Sequence, residues 1–552
     1  MHQPASVQPM APVVPLPALL HRAAAQWPGH TAASFPDVEM TYAQLWGAAC
    51  HIGNTLVRAD VRPGEHIGLL MPNCARMLAS LFGVILAGAI PVPLNTRYRS
   101  DELPYVIEHA DMAGLITMAE VSQNNAGELV DYLQRVEDAL TELKTQSAGR
   151  PFSIAAAPRL RFVSAFGSTQ RPWVTPWQEG TAEESPGLRT RREAPGLDDV
   201  AVLLYTSGTT SRPKGVLQTH RALVTTCTRG GARMGFGTDD VVWSPSPMCH
   251  IAAWVGVLGC ASVGAELLTS PYFEPAVVLD QLVARRATIA FANFPAFFFA
   301  LGNLMQARGT SLPTLKLLTT AAAPAEIERI RKLFPGALQV SVTGSTESAG
   351  CMCINDMSDS PEKRAETAGR PLDGIRLSIR DVDTLEEVPA GTAGELWVGG
   401  VCTLKAYYKD PKPALTGAPD PGWFRTADLF TLDEQGRLAF RGRIKDMLKV
   451  GGENVSAAEI ENYLLALPAI AVVQVVSAPD DHLGEVPAAF IELKAGATLS
   501  KEEVLAFCRA GIARFKVPRI VRFVTEWPMS STKIQKERLR AMLREPPAQA
   551  QT

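Results

Sequence analysis

The sequence predicts an α/β protein of at least two domains. Helix-covered parallel sheets come first, antiparallel hairpins follow, and a small α+β unit closes the chain. Three observations carry this. At 552 residues the chain exceeds what one hydrophobic core supports. Through its amino-terminal half, amphipathic helical stretches alternate with short apolar runs, the pattern of a parallel sheet covered by helices. From Gly369 the texture changes to short alternating segments broken by turn signals, which reads as antiparallel strands.

Taken in order, "LPALLHRAAAQWP" and "TYAQLWGAACHIGNTLVRA" read as amphipathic helices and "HIGLLM" as a short strand. "AGAIPVPL" and "AGLITM" read as further buried strands. The stretch from Met77 to Leu94 has no charge, but Gly88 and Pro91 break it well short of a bilayer span. It reads as a core helix followed by a strand, and no integral membrane segment is expected. From about Gln123 to Pro195 the chain turns polar and periodicity fades, so peripheral loops or an insertion are expected there. The pattern resumes with "VAVLLYT", "VVWSPSPM", "TIAFANFP" and "LKLLTTAAAP". "IRLSIRD", "GELWVGG" and "FTLDEQGRLAFRGR" then read as hairpin strands, with "DEQG" as a turn. Beyond Arg443 a loop leads into a helix, with Ser456 as the expected N-cap and Glu459 completing a capping box. "IAVVQVVSAP", "AAFIELK", "KEEVLAFCRAGI" and "RIVRFV" complete a unit of about a hundred residues, viable by size.

Composition narrows the function classes. Hydrophobic residues make up 46% and charged residues 20%, ordinary globular usage. Formal net charge is −3 with no long run of either sign, so no grip on nucleic acid is expected. The nine cysteines are scattered without a CxxC pair, and Cys351 and Cys353 lack a matching His or Cys cluster. This reads as reduced thiols in a cytoplasmic protein. The start, "MHQPASVQPMAPVVPLP", has no cationic lead into an apolar run, so residues 1–13 are expected to form a loose tail.

One stretch cannot bury itself. "LLYTSGTTSRPKGVLQTH" (203–220) sets hydroxyls and glycine ahead of Arg-Pro-Lys-Gly, between two apolar runs. Backbone N–H groups and hydroxyls of this kind can hold phosphate oxygens, with Lys214 as a point charge. A Walker loop needs Gly-Lys-Ser/Thr opening a helix, whereas Lys214 is followed by Gly215 and Val216. By itself the stretch stays undecided between a phosphate cradle and a polar connection.

Further segments extend the pattern: "TGSTES" (343–348), "GELWVGG" (394–400), "GWFRTADL" (422–429), "GRIKDMLKVGGENVSAAEIE" (442–461) and "STKIQKERL" (531–539). With "YTSGTTSRPKGV" they resemble, in the expected order, the motifs of the adenylate-forming superfamily, in its acyl-CoA synthetase branch. The resemblance covers roughly residues 14–542. It implies an adenylation core over 1–442 with a small β-barrel-like antiparallel part, and a mobile lid domain over 443–552 hinged near Lys445. It also implies an ATP-dependent, AMP-forming carboxylic acid:CoA ligase that uses Mg²⁺. A carboxylate would attack the α-phosphorus of ATP, giving acyl-adenylate and pyrophosphate, and a thiol would then displace AMP.

The residue roles implied by the resemblance follow the motifs. Thr206, Ser207, Gly208, Thr209 and Thr210 with Lys214 would hold the β- and γ-phosphates. Glu347 would bind Mg²⁺, and Thr346 would touch the α-phosphate in a nucleotide loop that includes Thr343, Gly344 and Ser345. Ala321, Ala322, Ala323 and Pro324 would line adenine, and Asp428 would accept both ribose hydroxyls. Arg443 would reach ribose or phosphate, while Lys533 would bridge substrate carboxylate and α-phosphate. Rotation about Lys445 would withdraw Lys533 and bring Lys449, Gly451, Gly452 and Glu453 against the site for the phosphopantetheine arm. His250, Ile251 and Trp254 would line the acyl pocket, with His250 gating the thiol tunnel. Taken alone, each has an ordinary reading: a core histidine, a turn aspartate, a surface glutamate, a solvated lysine such as Lys536. Of Phe297, Phe298 and Phe299, most are expected in core packing.

The sequence departs from the pattern at three places. Ser211 replaces the usual glycine after the double threonine, and Thr343 replaces the usual aromatic residue. The Pro528-to-Lys533 spacing is one residue short and lacks glycine before Lys533. The pocket residues are apolar, so a medium or long fatty acid, or an aryl or alicyclic acid, is expected. No carrier-protein domain follows in this chain, which makes free CoA the expected acceptor. A stand-alone enzyme loading a carrier protein and a non-catalytic nucleotide- or acyl-binding relative are the competing readings. Oligomeric state is open, with a homodimer as one candidate.

Overall fold

The computed structural model describes residues 12–98, 102–120, 122–123, 129–206, 212–412, 414–415, 422–450, 453–480, 482–530 and 533–544. The uncharged stretch shows why its residues stay inside. The helix Ala75–Leu86 buries every residue from Met77 to Leu86, and the Cys74 Sγ caps it by accepting the Met77 amide at 3.4 Å. It packs against the helix Tyr42–Arg58 so closely that a Cβ on Gly83 would lie 2.6 Å from Ile52. Gly88, at φ +75°, turns the chain into the strand Ile90–Pro93.

Parallel strands build two sheets, as the alternation predicts. One has five strands in the order Ile90–Pro93, His66–Leu70, Met112–Met118, Phe162–Phe166, Val174–Trp177, all parallel. The other has nine. Its parallel centre runs Leu338–Thr343, Leu317–Thr320, Ile289–Asn293, Val241–Trp243, Glu266–Leu268, Thr31–Ser34, flanked by short antiparallel strands at each edge. Two expectations change here. The polar region after Gln123 supplies two strands, Phe162–Phe166 and Val174–Trp177, and the helices Tyr132–Ala139 and Pro186–Glu193. Each strand is short and set among polar residues, so no window holds enough periods to reveal it. The second change is Val200–Thr206, which leaves the parallel pattern and pairs antiparallel with Lys214–Thr219.

The antiparallel part has a three-stranded sheet, completed by Ala406–Tyr407, and a four-stranded sheet. The latter runs Ile375–Arg380, Gly394–Gly400, Trp423–Leu432, Leu438–Arg443. After the short 3₁₀ turn Ile444–Asp446, five strands form a last sheet around Gly484–Leu493 and Ile470–Asp480, covered by Ala457–Leu464 and Lys501–Gly511. Its two buried clusters draw only on residues from Leu448 to Leu539.

Two local readings are corrected. Ser456 is the N-cap residue of its helix, but its side chain makes no cap hydrogen bond; the hydroxyl donates to the Arg441 carbonyl at 2.6 Å. Lys536 is no solvated lysine: its Nζ lies 2.7 Å from Glu461 and 3.9 Å from Asp446, with 16% of the side chain exposed. Among the described residues, no helix is long and apolar enough to cross a membrane. All nine cysteines are free, and eight are buried.

Candidate active site

The hydroxyl-rich stretch contributes two antiparallel strands, Val200–Thr206 and Lys214–Thr219, and Ser207 to Ser211 lie outside the described residues. The pairing sets Thr206 opposite Lys214. Lys214 and Gln218 share one face of the strand Lys214–Thr219, but Lys214 is exposed at the strand's start while Gln218, four residues on, is fully buried. The Lys214 Nζ sits 4.9 Å over the Tyr407 ring and 3.7 Å from the Asp410 carboxylate. Tyr407 comes from the adjoining strand, and its hydroxyl donates to the Glu347 carboxylate at 3.0 Å. Burial, and then the Glu347 charge, push the Tyr407 phenol well above its ordinary range, which keeps it a donor. Lys214 and Glu347, distant in sequence, therefore meet on one tyrosine, the lysine over its ring and the carboxylate at its hydroxyl.

Glu347 belongs to a loop braced from several directions. The loop follows the strand Leu338–Thr343, and Ser345 and Ser348 bond each other's backbone and hydroxyls. A Cβ on Gly344 would lie 2.1 Å from the Gly350 carbonyl oxygen, so only glycine fits that crossing. The Gln218 amide donates to the Thr346 carbonyl at 2.6 Å, and the Glu347 carbonyl accepts the Leu404 amide at 2.8 Å.

Other assigned residues share the carboxyl-terminal edge of the parallel strands, where open α/β sheets bind ligands. Ala321 to Pro324 follow Leu317–Thr320, and Pro324 opens a helix whose Glu326 accepts the Ala323 amide at 3.1 Å. Asn293, at φ +61°, ends the neighbouring strand; its carbonyl accepts the Ala321 amide at 2.8 Å, and its side chain accepts from Thr319 at 2.6 Å. His250, beyond Val241–Trp243, is the half-buried N-cap residue of the helix Ile251–Val263. That helix abuts the Glu347 loop: a Cβ on Gly350 would lie 3.1 Å from Val255 and 3.2 Å from Ile251. Cys249, beside His250, is no nucleophile, because burial pushes its thiol up to about 12. Trp254 is 2% exposed, and its indole N–H donates to the Met248 carbonyl at 3.2 Å. With Leu81, Phe82, Ala253 and Val257 it lines an apolar seam that leaves no room for water. As expected, these rings serve core packing: Phe298 is buried in a cluster against which Phe297, tilted on Phe273, and Phe299, under Arg329, also pack.

Asp428 and Arg443 face each other across adjacent strands, with the guanidinium 3.1 Å from the carboxylate. Lys445 lies in the 3₁₀ turn, where Asp446 receives Arg540 from the last helix at 3.1 Å. Lys449 is exposed on Met447–Val450, its amide bonded to Glu485 at 2.8 Å. Gly451 and Gly452 lie outside the described residues, as do the side chains of Glu453 and Lys533. Lys533 belongs to the two-residue strand Lys533–Ile534, paired with Met529–Ser530 ahead of the helix Lys536–Arg544.

Sequence reasoning missed Tyr407, Gln218, Asn293 and Asn73. Asn73 donates to the Ser246 carbonyl at 3.0 Å and accepts the Met248 amide at 2.8 Å, which pins the turn before His250. None of them stands in a chemical motif, and strand periodicity does not mark Gln218 either, since its face of the strand also carries the exposed Lys214. Glu347 fits Mg²⁺, since a single half-buried carboxylate, joined through Tyr407 to Lys214, suits an ion that keeps waters and substrate oxygens. Among the described residues, no group of three or more His, Cys, Asp or Glu forms an all-protein metal cage.

The AMP-binding enzyme family matches residues 20–408, and the AMP-binding enzyme C-terminal domain matches residues 459–533. YngI of Bacillus subtilis (strain 168) is 32% identical over 95% of this chain and 96% of its own. The 3-[(3aS,4S,7aS)-7a-methyl-1,5-dioxo-octahydro-1H-inden-4-yl]propanoyl:CoA ligase of Rhodococcus jostii (strain RHA1) is 30% identical over 95% of this chain and 98% of its own. Among solved structures, the anthranilate CoA ligase AuaEII in complex with anthranoyl-AMP aligns with a TM-score of 0.80 at 26% identity, covering 98% of this chain and 99% of that one.

Proposed function

We propose the reaction from a premise the matches establish: the chain belongs to the AMP-binding enzyme family and is an AMP-forming acid–thiol ligase using ATP, Mg²⁺ and CoA. Its acid is an apolar one, a medium or long fatty acid or an aryl or alicyclic acid. The Rhodococcus relative acts on an acid of the alicyclic kind. The uncharged helix Ile251–Val263 and its apolar seam, which must open to admit substrate, support this choice.

The convergence of Lys214 and Glu347 on Tyr407 carries the reading, because it unites a phosphate-directed cation with an oxygen ligand for Mg²⁺. Lys214 and the segment Thr206 to Thr210 hold the terminal phosphates, so pyrophosphate leaves along their axis. When bound at Glu347, Mg²⁺ neutralises phosphate charge. Asp428 accepts ribose hydroxyls, and Arg443 braces it. Ala321 to Pro324 flank adenine, with Thr343 to Thr346 beside the α-phosphate. Lys533 neutralises the charge that develops as the carboxylate attacks the α-phosphorus. The unit from 443 onward then turns about Lys445, and Lys449, Gly451, Gly452 and Glu453 face the entering thiol. His250 lines the acyl entrance with Ile251 and Trp254. The free cysteines support a cytoplasmic site of action, and a homodimer is the assembly to test.

Acid-dependent exchange of pyrophosphate into ATP is expected across an apolar acid panel; its absence would overturn the reading in favour of a non-catalytic binder. AMP release that requires free CoA separates this ligase from a carrier-protein loader. Lys533→Ala should abolish adenylation yet spare thioester formation from supplied acyl-adenylate. Equal loss of both would sink the two-state lid.

A further inference from the structure

We propose that Glu395 is a positioning residue for the nucleotide: it shapes the strand distortion that aims Asp428. The inference rests on the assignment of Asp428 to the ribose hydroxyls. Between Gly394–Gly400 and Trp423–Leu432 the register pairs Glu395 with Leu429 but Trp397 with Arg425. Thr426, Ala427 and Asp428 therefore stand opposite Leu396 alone, a three-against-one bulge that takes Asp428 out of register with Gly394–Gly400 while it stays paired with Arg443 on the other side. Within it Ala427 takes φ +57°, a left-handed conformation that a residue with a Cβ holds only when its surroundings impose it.

The imposing group is Glu395, 1% exposed. One carboxylate oxygen accepts the Ala427 amide at 3.2 Å. The other accepts the Trp397 indole N–H at 3.1 Å and two N–H groups of Arg425, at 3.0 and 2.6 Å. Thr426 closes the bulge from the far side: its hydroxyl donates to the Leu396 carbonyl at 2.9 Å and accepts the Asp428 amide at 3.1 Å. A buried carboxylate costs free energy unless its oxygens are filled. Here one filling donor is the strained backbone beside Asp428, so the carboxylate and the strain hold each other in place.

The test measures preference for ATP over 2′-deoxy-ATP and 3′-deoxy-ATP in pyrophosphate exchange on the full chain. Asp428→Ala calibrates it and should nearly erase the preference. Glu395→Gln, isosteric but with a weaker acceptor, should lower the preference about fivefold by raising the KM for ATP, with kcat within about twofold. Thr426→Val removes the far-side hydroxyl without touching the buried charge and should shift preference the same way, so the test survives if Glu395→Gln fails to fold. Preference retained in the folded Glu395 variant, or in Thr426→Val alone, while Asp428→Ala loses it, overturns the positioning role. Rates that fall equally for all three nucleotides overturn it too, as a purely structural effect. Preference retained in Asp428→Ala overturns the ribose assignment itself.

Discussion

Replacing Gln218 with leucine should separate stability from activity. The Gln218 side chain is fully buried; its amide nitrogen donates to the Thr346 carbonyl at 2.6 Å, and its amide oxygen has no partner among the described residues. Leucine, of similar volume, discards both atoms. Losing the hydrogen bond costs about 1 kcal/mol net, while removing an orphaned buried acceptor returns about 1–3 kcal/mol. The two nearly cancel, so the melting temperature should move by no more than about 4 °C. The Thr346–Glu347 segment, however, loses its tie to the strand that carries Lys214. If about 1 kcal/mol of loop ordering then falls on nucleotide binding, the KM for ATP rises about fivefold. Thermal melts paired with pyrophosphate exchange over an ATP series measure both. A melting point lower by ~10 °C would show the amide oxygen is satisfied, and an unchanged KM would show the loop is held without Gln218.

Two further outcomes are expected. Tyr407→Phe keeps the ring under Lys214 but removes the hydroxyl that holds Glu347, so exchange should slow about five- to tenfold at low Mg²⁺; Tyr407→Leu, which also loses the cation–π contact, should be slower still, and equal rates for Tyr and Phe would remove the hydroxyl from the account. His220 concerns stability. Burial lowers its pKa to about 4, partly opposed by Asp199, and its Nδ1 accepts the Leu16 amide at 3.3 Å. The unfolded chain takes up this proton near pH 6.5 and the folded chain only near 4, so stability is full above pH 6.5 and falls by about 3 kcal/mol as pH drops towards 4. His220→Gln should flatten denaturation midpoints over that interval; an unaltered slope would assign it to other groups.

Much of the fold was legible because its causes are local. The uncharged run from Met77 became the helix Ala75–Leu86, whose burial all round leaves no place for charge, and the alternation after Gly369 became antiparallel strands, since burial on one face writes a period into the residues themselves. Motif order likewise named Lys214, Glu347 and Asp428 as a set. What escaped depends on partners far along the chain. Phe162–Phe166 is a strand because Met112–Met118 offers it an edge. Ser456 reads as a cap, yet Arg441 claims its hydroxyl. Lys536 reads as solvated until the fold sets Glu461 2.7 Å away.

The residues alone supply the candidates for phosphate, ribose and acyl chemistry and the pitch on which helices and strands display them. Only the tertiary structure decided how they are held: Tyr407 between Lys214 and Glu347, Gln218 under Thr346, Glu395 behind the strained amide of Ala427. The physical reason is range. Periodicity and capping act within a few residues, whereas a buried donor is satisfied by whichever acceptor folding brings near, and for Gln218 that acceptor lies 128 residues away.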